Sequence, residues 1–293
     1  MQAYKYILGL FALVLGLIGL SLGYAPDGQL HLIACDVGQG DGILAIYKDT
    51  QVLIDGGPDE RILECLSEHV PFWDRRLELV ILTHPQLDHY GGLIEVFRRY
   101  SVDTFLANGL DSGASSYQAL KNAVGGSGAR VVTPKEGMVL GVGMIYLDIL
   151  SPSQSLLTQE ASDSRANILG AFSSKKDPND FSVVAILRLG EFDALLTGDI
   201  GPSEIPEILA RGKIRDVEYI KVPHHGSKNG LTHELLDASS PEIGVISVGK
   251  NSYGHPNEET LKMLREKGVR TLRTDEDGDI EIITDGNKWW VKN

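Results

Sequence analysis

Thr83-His84-Pro85-Gln86-Leu87-Asp88-His89 follows the apolar run Leu77 to Leu82, which reads as a buried strand. Working outward, two more short stretches repeat this arrangement. Leu196-Thr197-Gly198-Asp199 ends the apolar run Phe192 to Thr197. Pro223-His224-His225-Gly226-Ser227 follows the run Val217 to Val222. The chain has eight histidines, and four of them fall in these stretches. Imidazole and carboxylate at strand ends around a cleft are the means of holding catalytic zinc or manganese. His84, Asp88, His89, Asp199 and His225 are therefore the candidate metal ligands, and a metal-dependent hydrolase is the leading reading. Pro85 fixes the backbone direction in the first stretch. A carboxylate ending a buried strand, as Asp199 does, is costly unless a cation compensates it.

Around these stretches the chain alternates strands and helices. Strands are expected at Gln29 to Ala34, Ile43 to Tyr47, Gln51 to Ile54, Leu77 to Leu82, Val102 to Ala107, Arg130 to Thr133, Met138 to Leu140 and Met144 to Leu150. A second series covers Phe181 to Leu189, Phe192 to Thr197, Val217 to Val222, Ile243 to Val248, Arg270 to Thr274, Asp279 to Thr284 and Lys288 to Val291. Helices fall between them at Glu60 to His69, Leu93 to Tyr100, Ser115 to Ala123, Glu204 to Arg211, Leu231 to Ala238 and Asn257 to Lys267. The pattern describes two sheets between outer helices, built from two similar halves. Ser151 to Pro178 is polar and weakly patterned, a long loop expected at an active-site rim or lid.

The early turns hold Asp36, Asp41 and Asp55 among glycines. These carboxylates are placed to hydrogen-bond a ligand histidine from behind. Gly38-x-Gly40-x-Gly42 is not a dinucleotide fingerprint, because its third glycine comes too early and no helix follows. Lys221 and Lys228 flank the His224-His225 pair and, with Ser227, are the candidate substrate contacts. Ser252-Tyr253-Gly254-His255-Pro256 precedes a helix, with His255 in reach of an anionic group.

Composition narrows the options. The chain has 27 basic and 40 acidic residues, a formal charge of -13, which argues against a nonspecific nucleic-acid binder with a basic surface. Cys35 and Cys65 lack metal-ligand spacing, and two buried free thiols are expected. Residues 1–27 stand apart. Ile7 to Leu20 carries no charge, and Lys5 precedes it. This segment is either a signal peptide cut near Ser21-Leu22-Gly23 or a single membrane anchor, with the body exported in either case. Residues 28–293 form one domain.

These residues carry a family resemblance. Asp36-Val37-Gly38-Gln39-Gly40-Asp41, Leu53-Ile54-Asp55-Gly56-Gly57, the Thr83 to His89 stretch with Gly91-Gly92, Leu196 to Asp199, Val222 to Ser227, Ser247 to Asn251, Tyr253-Gly254-His255-Pro256 and Thr274 to Gly278 resemble the metallo-beta-lactamase-like domain of the ComEC/Rec2 competence proteins. Order and spacing match over nearly all of the chain after residue 28. This sequence shows no counterpart of the family's multi-span channel domain, so a stand-alone relative is expected. The resemblance implies an α/β fold, a four-layer αβ/βα sandwich. It also implies a metal-dependent phosphodiesterase or nuclease acting on DNA outside the cytoplasm. His84, Asp88 and His89 take ligand positions, Asp199 the bridging carboxylate and His225 the last histidine, while His224 faces phosphate. Gln86 stands where the fullest two-metal members have histidine. Asn179-Asp180-Phe181-Ser182 stands where another histidine is usual. One zinc or manganese ion is thus expected to be held firmly, with a second weaker and Asp180 or Ser182 contributing to it. Asp88 doubles as proton acceptor, and His224 and His255 serve the phosphoryl group and the leaving oxygen. A beta-lactam substrate fits poorly without the His-x-His pair. The alternatives are a small phosphodiesterase acting on phosphorylcholine-like esters and a weakly catalytic DNA- or wall-binding module, tethered to the membrane through residues 1–27 if they are retained.

Overall fold

The computed structural model describes residues 2–23, 27–160 and 169–292. After the N-terminal helix α1 (Gln2–Gly23), the first half runs β1 (Leu30–Ala34), β2 (Ile43–Tyr47), β3 (Thr50–Ile54), α2 (Ile62–His69), β4 (Arg76–Leu82), α3 (Leu87–Tyr90), α4 (Leu93–Arg99), β5 (Ser101–Ala107), α5 (Ser115–Ser127) and β6 (Arg130–Val132). The second half runs β7 (Val139–Val142), β8 (Ile145–Ser151), α6 (Gln154–Glu160), β9 (Val184–Leu189), β10 (Phe192–Leu196), α7 (Ile205–Ala210), β11 (Tyr219–Lys221), α8 (His233–Ser239), β12 (Ile243–Ile246), α9 (Glu258–Glu266) and β13 (Arg270–Arg273). A short turn of helix, α10 (Thr274–Asp277), leads to β14 (Ile280–Thr284) and β15 (Trp289–Val291).

Among the described residues the strands form two sheets. One has the order β15-β14-β1-β2-β3-β4-β5-β6 and the other β13-β12-β11-β10-β9-β8-β7. Each half begins antiparallel and turns parallel, at β3–β4–β5–β6 and at β10–β11–β12–β13. The last two strands leave the second half and pair onto β1, so the halves are similar but not independent.

The four layers follow from side-chain alternation. On β4, Leu79 and Ile81 face the second sheet, while Val80 and Leu82 face the helices. A strand buried on both faces must read as a continuous apolar run, which is why Leu77 to Leu82 carries so little polarity. Leu32, Ala45 and Leu106 meet Leu147, Leu187 and Val245 between the sheets. Ile62, Leu66, Val96 and Tyr117 cover the first sheet from outside, and Ile205, Leu235 and Leu264 cover the second. The sandwich expected from the sequence is the fold observed.

Two expectations need revision. Cys35 and Cys65 are joined in a disulfide rather than left as free thiols. Cys35 directly follows β1 and Cys65 lies on the buried face of α2, a tertiary approach that local sequence does not encode. The long loop contains α6 and is pinned by Leu156, Leu157 and Phe181 against Leu110. Part of that loop, residues 161–168, lies outside the described residues, as do residues 24–26 of the expected anchor or signal segment. The described α1 side chains, Tyr4 to Gly16, are exposed, and no helix among the described residues is long and apolar enough to cross a membrane.

Candidate metal centre

The candidate ligands converge because the parallel strands point their carboxyl ends at one edge of the sandwich, where open α/β sheets place their crevices. β4 delivers His84, Asp88 and His89, β10 delivers Asp199, and β11 delivers His224 and His225. Asp88 and His89 sit on the single turn of α3 rather than in a loop. Glycines let this turn lie flat on the early loops. A Cβ on Gly91 would fall 2.0 Å from the Pro58 carbonyl oxygen, and one on Gly92 2.2 Å from that of Gly56.

Asp88, His89, Asp199 and His225 each offer one ligand atom, and these atoms lie within 4.8 Å of one another. His89 Nε2 is 3.3 Å and His225 Nε2 3.2 Å from Asp199 Oδ2, and His225 Nε2 is 3.4 Å from Asp88 Oδ2. Both Nε2 atoms are buried at ion-pair distance from carboxylates, yet neither has a hydrogen-bond partner. The opposite ring nitrogens are held. His89 Nδ1 lies 2.8 Å from Asp55, and His225 Nδ1 lies 2.9 Å from the Ser247 carbonyl and 3.2 Å from Asp41. Imidazoles oriented from behind, with the forward nitrogen unspent beside carboxylates, fit a bound metal ion. Asp55 and Asp41 thus lie behind the two rings.

The charges agree with that reading. Burial alone would keep His89 and His225 neutral, but Asp199, with Asp55 for His89 and Asp41 for His225, raises both well above the ordinary histidine range. Burial likewise opposes ionisation of Asp199, and His225, Lys221 and His89 outweigh it and hold that carboxylate well below its usual range. Without metal, the site stores protons on the nitrogens a divalent ion would use. The backbone around His225 is strained too: His224 and His225 both take left-handed conformations, φ 52° and 53°, ahead of Gly226. Consecutive non-glycine residues there are uncommon and persist where the surroundings over-determine them.

His84 lies outside the four-ligand group, although its ring centroid is 4.1 Å from that of His89. Its Nε2 is engaged with Gln86 Oε1 at 3.1 Å, and its Nδ1 lies 3.1 Å from Thr83 Oγ1. Burial, then His89, push its pKa down to about 3, so it is neutral. Ser182 Oγ accepts from the Asp199 N–H and lies 3.5 Å from His84 Nδ1, while Asp180 turns away to accept from Ser203.

Lys221 is not a substrate contact. It is fully buried, with Nζ 2.5 Å from Asp41 Oδ2, 3.1 Å from Asp199 Oδ1 and 2.8 Å from the Gly198 carbonyl. On β11 it shares a face with Tyr219, which points between the sheets, so its ammonium joins a loop of one half to a strand end of the other. Ser227 is also buried, its hydroxyl accepting from the Asn229 N–H and its own N–H donating to the His224 carbonyl. Lys228 is exposed away from the cavity. Asp36 is exposed and caps the Gly38 N–H, so it supports no ligand histidine.

A cavity of about 690 Å3 opens on the cluster, within the range of small-ligand sites. Asp88, Asp199 and His225 form its floor, with His224 and His255 beside them. Lys250 and Tyr253 on the Gly249–His255 loop, and Asp177 from the long loop, complete the rim. That loop reaches the rim at Asp177, with Asn179 just beyond it. Sequence reasoning missed Thr83, whose hydroxyl donates to Asp55 at 2.7 Å beside both His84 and His89, and its place inside the motif was the available signal.

Comparison with known proteins agrees with this geometry. The family model of the metallo-beta-lactamase superfamily matches residues 35–250. The chain is homologous to competence proteins. It is 28% identical over 280 residues to ComE operon protein 3 of Bacillus subtilis (strain 168), covering 88% of this chain and 33% of that protein. It is 26% identical over 276 residues to competence protein ComA of Neisseria gonorrhoeae, covering 92% of this chain and 34% of that one. The chain therefore spans about a third of the length of these relatives. Among solved structures, the metallo-beta-lactamase fold protein YhfI from Bacillus subtilis superposes with a TM-score of 0.53 at 12% identity, covering 90% of this chain and 100% of that one. The buried ligand cluster in this fold supports metal-dependent hydrolase chemistry, and the chain belongs to the metallo-beta-lactamase superfamily.

Proposed function

We propose that the chain is a metal-dependent phosphodiesterase that acts on DNA outside the cytoplasm. The observation that carries this reading is the pair of unpartnered Nε2 atoms of His89 and His225, facing Asp88 and Asp199 on the floor of an open cavity. Homology to competence proteins supports DNA as the polymer, and the Cys35–Cys65 disulfide supports an oxidising compartment. Residues 1–27, with exposed apolar side chains over Tyr4 to Leu15, serve as the export or anchoring segment.

Asp88, His89, Asp199 and His225 hold one divalent ion, zinc or manganese, with His84 at most a weak contributor to a second. When bound, that ion supplies Lewis acidity and a water acidified toward neutral pH. Asp88, the most accessible carboxylate of the cluster, accepts the proton. His224 and His255 line the cavity with ring centroids 5.7 Å apart and meet the phosphoryl oxygens and the leaving oxygen.

One observation favours the second reading, a small phosphodiester such as a phosphorylcholine ester. The cations needed for a polymer do not converge. Lys221 is buried, Arg273 pairs with Asp275 and Glu276, and among the described lysines and arginines only Lys250 lines the cavity, against Asp88, Asp177 and Asp199. The test is manganese- or zinc-dependent cleavage by the full chain of a single-stranded oligonucleotide and of p-nitrophenylphosphorylcholine, with metal content measured on the same sample and H225A alongside. Strand cleavage is expected, with metal and cleavage both lost in H225A. Turnover of the choline ester alone would move the assignment to the small substrate. Bound metal or none, with no turnover, would leave a binding module for DNA or wall polymer.

A further inference from the structure

The site has a recognition problem that its charges do not solve. A polymer held by its phosphates needs several cations, and among the described residues the cavity offers Lys250 beside three carboxylates. What the rim offers instead is a ring. Tyr253 lines the cavity and is 74% exposed. Its ring centroid lies 5.7 Å from that of His255 with planes only 31° apart, and His255 in turn lies 5.7 Å from His224. The three rings make a row from the solvent to the metal cluster.

The loop that presents Tyr253 is fixed in place. The Asn251 side chain accepts from the Tyr253 and His255 N–H groups at 3.0 and 3.1 Å, and donates to the Gly249 and His255 carbonyls at 2.8 Å each. Gly249 is packed so closely on the glycine loop that a Cβ there would fall 2.4 Å from Gly38. Inside the row, His255 Nδ1 is buried without a hydrogen-bond partner. A large exposed ring on a rigid loop, leading to an unsatisfied nitrogen and then to the ligands, is a platform rather than a loose surface side chain.

We infer that Tyr253 stacks a nucleobase next to the scissile phosphate, and that the substrate is single-stranded nucleic acid. This rests on the phosphodiesterase reading above. In a duplex the base faces are covered by their neighbours, whereas an unpaired base has a free face for an aromatic ring. Stacking is tolerant of sequence, so the platform selects strandedness and not a particular base. It also predicts a weak salt response. With about one phosphate neutralised, affinity should fall only about threefold between 50 and 200 mM salt, rather than by orders of magnitude.

The experiment uses the full chain loaded with manganese and two strands of equal length. One is an ordinary single-stranded oligonucleotide, and the other carries tetrahydrofuran abasic units in place of nucleotides. Tyr253→Ala is expected to raise KM for the ordinary strand about tenfold more than for the abasic one, with kcat little changed, and Tyr253→Phe or Tyr253→Trp to restore it. An equal effect of Tyr253→Ala on both strands, or a steep salt dependence, would overturn the stacking role while leaving the phosphodiesterase intact. Failure of the wild type to cleave either strand would sink the DNA reading itself and this inference with it.

Discussion

His84 and His89 are buried at one strand end with their rings 4.1 Å apart, yet their environments are opposite. His89 shares Asp199 with His225, has Asp55 behind it and keeps its forward nitrogen unpartnered. His84 has its forward nitrogen engaged with the Gln86 amide and Ser182 near its other one, both neutral groups. One region raises its histidines' pKa values and the other depresses them. Burial is common to both, so the difference comes from the neighbouring charges: carboxylates dominate around His89 and His225, while the His89 ring opposes protonation of His84. A cation-binding site is made by leaving nitrogens unspent beside carboxylates, and histidine alone does not make one.

Lys221 sits where this comparison can be broken most severely. It neutralises Asp41 and one oxygen of Asp199, leaving the other oxygen of Asp199 to the histidines. Removing one partner of a buried ionic group costs about 3–5 kcal/mol, because the remaining charges are stranded. Lys221→Met should therefore destabilise the chelated chain by about that much in urea unfolding, with a smaller loss when metal is saturating. An exposed lysine that touches substrate would cost almost nothing in stability and would raise KM instead.

How much of this was legible follows from the same residues. His89, Asp199 and His225 could be read because each lies shortly after an apolar run, at a place where its chemistry is otherwise unexplained. Asp41 and Asp55 were legible as candidates, but Asp36 looked the same in sequence and points elsewhere. Lys221 was misread because β11 is buried on both faces, so its residues do not alternate in polarity and nothing local says that the lysine points between the sheets. The Cys35–Cys65 pairing depends on the packing of α2 against β1, which is tertiary information. The ring row at Tyr253 was invisible for a simpler reason. Exposed aromatics are common, and only the cavity gives this one a direction.

Proton competition sharpens the contrast over a defined pH window. His89 and His225 have folded pKa values raised above 6.5, so their contribution to the metal-free fold is fully present below pH 6.5 and is lost as pH rises through the raised values. His84, pushed down to about 3, works in the opposite sense and only below pH 6.5. From pH 6.5 to 8.5 the Tm of the chelated chain should fall, while manganese-loaded chain holds its Tm, so the gap widens with pH. Apparent metal affinity should rise about tenfold per pH unit for each proton displaced. A gap that stays constant over this range would mean that the imidazoles are already neutral without metal.

Gln86→His is the mildest change and tests the other half of the comparison. The Gln86 amide oxygen occupies His84 Nε2 at 3.1 Å, and a half-buried position at the mouth of the cavity tolerates a new ring. The substitution adds an imidazole and frees the His84 Nε2, so two further nitrogens become available on the His84 side of the site. Lys221 still holds Asp199 Oδ1, so any second ion should bind weakly. Metal analysis is expected to give one ion per wild-type chain at every concentration tested. The variant should move toward two only at high metal, with the first affinity unchanged. Two ions bound by the wild type would mean that the Gln86–His84 contact opens readily, and that the neutral region is a latent half of the site rather than a closed one.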